Sequence, residues 1–86
     1  IRVAGNSMIN AGIADGDLLV VDRSLEPADG KIAICLIDGD FTVKRLKVEP
    51  DCIYLMPENP AYKPIKVTED NNLTIWGIVT YVVKSL

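Results

Sequence analysis

The sequence predicts a mainly β domain, a small sandwich or partly closed barrel, on three observations. Turn-forming residues recur at short intervals, the runs between them are rich in Val, Ile and Leu, and no window carries convincing 3.6-residue periodicity. The turn signals are Asp15-Gly16-Asp17, Pro27-Ala28-Asp29-Gly30, Asp38-Gly39, Pro50-Asp51, Asn59-Pro60 and Asp70-Asn71-Asn72. A length of 86 residues fits one small domain over 1–86. A domain of that size buries only about 60–65% of its unfolded surface, so its core is thin and a partner would help it.

Each element follows from local chemistry. Residues 1–4, Ile-Arg-Val-Ala, read as a short strand that starts without an initiator Met, as in a fragment of a longer protein. Residues 8–13 are the best helical stretch, weakened by Gly12, which makes a turn the expectation there. Leu18–Asp22, Ile32–Ile37, residues 41–48, Ile53–Met56 and Leu73–Val83 are β-branched or alternating runs and read as strands. Asp38-Gly39 between two of them signals a type I′ hairpin, because both central residues of that turn need positive φ. The last strand is apolar on both faces over residues 78–83, which suits an interface as well as a core.

Composition excludes several functions. Nine Lys and Arg against twelve Asp and Glu give a net charge of −3, and the basic residues are scattered among acids. That is not the basic stripe of a nucleic-acid binder, so direct nucleic-acid binding by this segment is not expected. No apolar run approaches the ~20 residues of a membrane span. Cys35 and Cys52 each sit inside or beside a strand-like run without CxxC spacing, and read as reduced thiols of a cytoplasmic protein. The chain contains no histidine, which removes Ser-His-Asp and Cys-His catalysis and histidine metal ligands. Asp15-x-Asp17 and Asp38-x-Asp40 do not begin a twelve-residue calcium loop, and neither metal nor cofactor is expected. Any nucleophilic chemistry must therefore use Lys or a carboxylate as base.

Two segments could supply it. In Gly5-Asn6-Ser7-Met8, a glycine before a serine at a strand end lets the backbone bend sharply and presents the hydroxyl with neighbouring amides. Taken alone, such a tetrapeptide is an ordinary turn. In residues 41–48, alternation places Thr42, Lys44, Leu46 and Val48 on one face, and Phe41, Val43, Arg45 and Lys47 on the other. A lysine on an apolar face loses hydration, which lowers its pKa and lets a neutral amine take a serine proton. Spacing alone better fits a lysine whose stem packs and whose head reaches water.

Together these segments resemble the LexA/UmuD family of self-cleaving peptidases. Gly5-Asn6-Ser7-Met8 is similar to its G-x-S-M nucleophile motif, and Gly12-Ile13-Ala14-Asp15-Gly16-Asp17 with the apolar run after it to its G-I-x-D-G-D block. Phe41-Thr42-Val43-Lys44-Arg45-Leu46 resembles the strand carrying the catalytic lysine, 37 residues after the serine. Leu55-Met56-Pro57-Glu58-Asn59-Pro60-Ala61-Tyr62-Lys63-Pro64-Ile65 resembles the block that follows. The resemblance covers nearly the whole chain in one order. Ala11-Gly12-Ile13, Asp38-Gly39-Asp40-Phe41 and the ending Val82-Val83-Lys84-Ser85-Leu86 are most similar to the UmuD branch.

What the resemblance implies is a LexA-type C-terminal peptidase fold with Ser7 as nucleophile and Lys44 as general base. It also implies a homodimer that cleaves a small-residue–Gly bond in its own upstream arm, stimulated by a recombinase filament on single-stranded DNA. In the UmuD branch the shortened protein joins a UmuC-type polymerase in error-prone translesion synthesis. The alternative is the C-terminal dimerisation and autocleavage domain of a repressor, whose missing part would read DNA through a helix-turn-helix.

Overall fold

The computed structural model describes residues 1–86. Six strands form one antiparallel sheet in the order β1-β6-β2-β3-β4-β5, with β1 Leu18–Asp22, β2 Ile32–Ile37, β3 Asp40–Val48, β4 Ile53–Met56, β5 Ile65–Val67 and β6 Leu73–Val83. The mainly β expectation holds. β3 begins one residue earlier than the apolar run suggested, and Ile65–Val67 is a strand the sequence left unmarked. Residues 1–4 contribute a single bridge, Arg2 to Leu18, rather than a full strand. Residues 8–13 hold one short 3-10 turn, Ile9–Ala11, ended by Gly12 at φ 80°. Asp38 and Gly39 have φ of 48° and 89°, as the hairpin required.

The sheet buries apolar side chains on both faces, and β2 shows why. Lying between β6 and β3, it alternates Ala33, Cys35 and Ile37 against Ile34. The first set joins Leu46, Leu55 and Ile78 in one cluster, while Ile34 joins Met8, Ile13 and Leu19 in another, covered by the N-terminal segment. Ile65 and Val67 of β5 pack against the same cluster as Leu73 and Ile75 of β6, although three strands separate β5 from β6 in the sheet. The sheet therefore curls toward a barrel, but no ladder joins those two strands and it stays open. No helix is long and apolar enough to cross a membrane.

Candidate active site

The turn bearing Ser7 is held from three sides. Before it, residues 1–3 lie along the start of β1: Val3 donates to the Asp17 carbonyl at 2.8 Å, and Leu19 donates to that of Ile1 at 2.7 Å. Gly5 then takes φ +89°, a left-handed value that side chains resist, and its N–H donates to Asp15 Oδ1 at 2.6 Å. Met8 is sunk into the second core cluster and anchors the far end. From the third side, the Glu58 N–H donates to the Ser7 carbonyl at 2.8 Å, and Asn59 Nδ2 to that of Asn6 at 2.9 Å. The amides of Asn6, Ser7 and Met8 find no acceptor within the chain.

Lys44 reaches this turn from β3. Its register partner Ala33 puts it on the face of Cys35 and Leu46, and only 7% of the residue is exposed. Nζ donates to Ser7 Oγ at 2.9 Å, to Thr42 Oγ1 at 2.6 Å and to the Val43 carbonyl at 3.1 Å. Burial pushes the amine below the ordinary lysine value, because the charged form loses hydration. A Cys35 thiolate would oppose that shift, but burial pushes Cys35 up to about 11, so its thiol stays neutral through the neutral range. Every buried polar side-chain atom has a partner.

The two residues that sequence reasoning selected are thus brought to hydrogen-bonding distance. Ser7 lines a groove of about 520 Å³ whose walls include Ile1, Val3, Met8, Ile34, Phe41 and Trp76, and Thr42, which accepts from the Lys44 amine, lines it too. An apolar groove beside an open row of amides suits an extended peptide, with side chains in the groove and a carbonyl at the amides. Sequence reasoning missed Thr42 as a partner of the amine, although alternation had placed it on the right face. It also missed Asp15, Glu58 and Asn59 as holders of the turn; all three stand in blocks whose order resembled the family. Cys35 and Cys52 are both free, and no three side chains of metal-binding type converge.

Comparison with known proteins bears on the family and on the branch. Residues 1–80 match the family described as Peptidase S24-like. The chain is 52% identical over 75 residues to a LexA repressor of Oleidesulfovibrio alaskensis, covering 87% of this chain and 36% of that protein. It is 46% identical over 78 residues to LexA repressor 2 of Pseudomonas syringae pv. tomato, covering 91% and 39%. Against a LexA repressor of Syntrophotalea carbinolica it is 44% identical over 84 residues, covering 98% and 42%. The chain spans about two fifths of the length of these relatives. Their names favour the repressor branch over the UmuD branch, which Ala11-Gly12-Ile13, Asp38-Gly39-Asp40-Phe41 and the ending Val82-Val83-Lys84-Ser85-Leu86 resemble. The chain belongs to the Peptidase S24-like family.

Proposed function

We propose that this chain is the autocleaving C-terminal domain of a LexA-like repressor, working through a Ser7–Lys44 dyad. The observation that carries the reading is the 2.9 Å contact between Lys44 Nζ and Ser7 Oγ at the edge of an apolar groove. With the amine neutral, the same line runs in reverse and the hydroxyl donates to Nζ. Ser7 Oγ attacks a backbone carbonyl carbon while its proton passes to Nζ. The developing oxyanion meets the open amides of residues 6–8. As the C–N bond breaks, the ammonium of Lys44 returns the proton to the leaving amine, and water then hydrolyses the acyl–Ser7 ester. Thr42 and the Val43 carbonyl hold Nζ on course throughout.

The substrate in this reading is a small-residue–Gly bond of the protein's own upstream arm, laid in the groove. A recombinase filament on single-stranded DNA stimulates the reaction, and two copies associate. An upstream DNA-reading domain is part of the repressor reading; an arm of only a few dozen residues would restore the polymerase-subunit one. The test is self-cleavage of the full-length protein at pH 7 and pH 10, comparing wild type with Ser7→Ala and Lys44→Ala. Wild type should cleave faster at pH 10, as the amine deprotonates, and both variants should lose cleavage. Wild-type rates in either variant would remove that residue from the dyad.

A further inference from the structure

Next to Lys44 in sequence, Arg45 points away from the amine and does something the dyad has not explained. Its Nε donates to Glu58 Oε1 at 2.7 Å and its Nη1 to the Gly30 carbonyl at 2.7 Å, so the guanidinium is held by two separate partners. Both partners of the ion pair are about one-third exposed, at 37% and 33% of their side chains. An exposed pair of this kind contributes little to stability. Its position is more telling than its strength.

Glu58 is the residue whose backbone grips the nucleophile turn. Its N–H donates to the Ser7 carbonyl and its carbonyl accepts from the Asn10 N–H, each at 2.8 Å, while Asn59 holds the Asn6 carbonyl. The segment carrying Glu58 leaves β4 after Met56 and has no ladder of its own there. The Glu58 side chain returns to β3 at the residue adjoining the base. One covalent step and one ion pair therefore connect the strand that aims Lys44 with the backbone that holds Ser7.

We propose that the Arg45–Glu58 pair is a positioning device that sets Ser7 in register with Lys44, a role resting on the dyad reading above. Neither residue touches the reacting atoms. Loss of the pair lets the Glu58 segment, and Ser7 with it, drift relative to Nζ. Misplacement by about 1 Å costs on the order of 100-fold in rate when reacting groups must be aligned.

The experiment is the self-cleavage rate of the full-length protein from pH 7 to pH 11, for wild type, Glu58→Ala, Glu58→Gln and Arg45→Lys, with folding checked by Trp76 fluorescence and thermal midpoint. Glu58→Ala should lower the high-pH plateau about 10- to 100-fold without moving the pH midpoint, which belongs to Lys44. Glu58→Gln, which still offers Arg45 an acceptor oxygen, should recover most of the rate. Arg45→Lys, lacking the fork, should fall between them. Wild-type rates in Glu58→Ala overturn the proposal, as does a midpoint that moves with the plateau, since the pair would then act on Lys44's charge. Should Glu58→Ala not fold, Arg45→Lys decides by the same two readings. Ser7→Ala and Lys44→Ala controls keep the two ideas apart: if they still cleave, the dyad itself has failed, whatever Glu58 does.

Discussion

A lysine that must accept a proton works best where its charged form is least comfortable, and Lys44 is so placed. Buried beside Cys35 and Leu46, its amine gives up hydration and keeps three acceptors in exchange. The sign of the consequence is fixed by linkage. Burial lowers the folded-state value below that of the unfolded chain, so between the two values the unfolded state binds more protons and stability rises with pH. Below its folded-state value, Lys44 therefore carries a charge without which the folded protein would be more stable. Lys44→Met, of similar length and uncharged, should stabilise the domain at pH 7 by about 0.5–2 kcal/mol while abolishing cleavage. The gain should shrink as pH approaches ~10.4, the unfolded lysine value. Urea unfolding midpoints of the two proteins at pH 7 and pH 10.5 measure it, and a gap that widens with pH contradicts the assignment. This residue's environment was half legible in the sequence: alternation put Thr42 and Leu46 on its face. That the Thr42 hydroxyl would bond the amine depends on rotamers, which spacing does not carry.

Among the elements, β6 is the longest strand, at 11 residues, pairing with β1 on one side and β2 on the other. Both ladders shift register along it, near Val20/Val21 on β1 and Ile34/Cys35 on β2. Gly77, opposite Ile34, lies within that stretch and is buried. A Cβ there would lie 2.4 Å from Val21 Cγ1 and 3.3 Å from Arg23 Cγ. Valine is stiff at χ1, so the clash is not relieved by swinging a flexible tip. Gly77→Ala should destabilise the domain by about 1–3 kcal/mol, read as a fall in denaturant midpoint at unchanged slope. An unchanged midpoint would mean that Val21 turns aside without cost. The strand itself was plain in the sequence as a long apolar run. Its place between β1 and β2 was not, because pairing partners far apart in the chain leave no local trace. β5 escaped for another reason: three residues between Pro64 and Thr68 are too few for alternation to register.

For the whole molecule, the curled sheet leaves an apolar patch on its β1–β6 side. Leu18 stands opposite Val83 and Val20 opposite Tyr81, and all four are exposed, Tyr81 by 71%. Their neighbours Leu19 and Val82 pair on the other face and pack into the core around Met8 and Ile34. Direct cross-strand partners share a face, so the four exposed side chains form one continuous surface. Thin domains gain most from covering such a surface, and the homodimer of the proposed repressor would do so here. The alternation separates two effects that charging Val82 and Val83 together would mix. Tyr81→Glu with Val83→Glu should shift the protein from dimer to monomer and leave its fold intact, because both side chains already face solvent. Val82→Glu should instead unfold it, since a carboxylate would enter the core without a partner. Sedimentation equilibrium and Trp76 fluorescence read the two outcomes separately. A dimer that survives the Tyr81→Glu/Val83→Glu change would place the contact elsewhere, and the exposed ends of the groove, Ile1 and Phe41, are then the next apolar surface to charge.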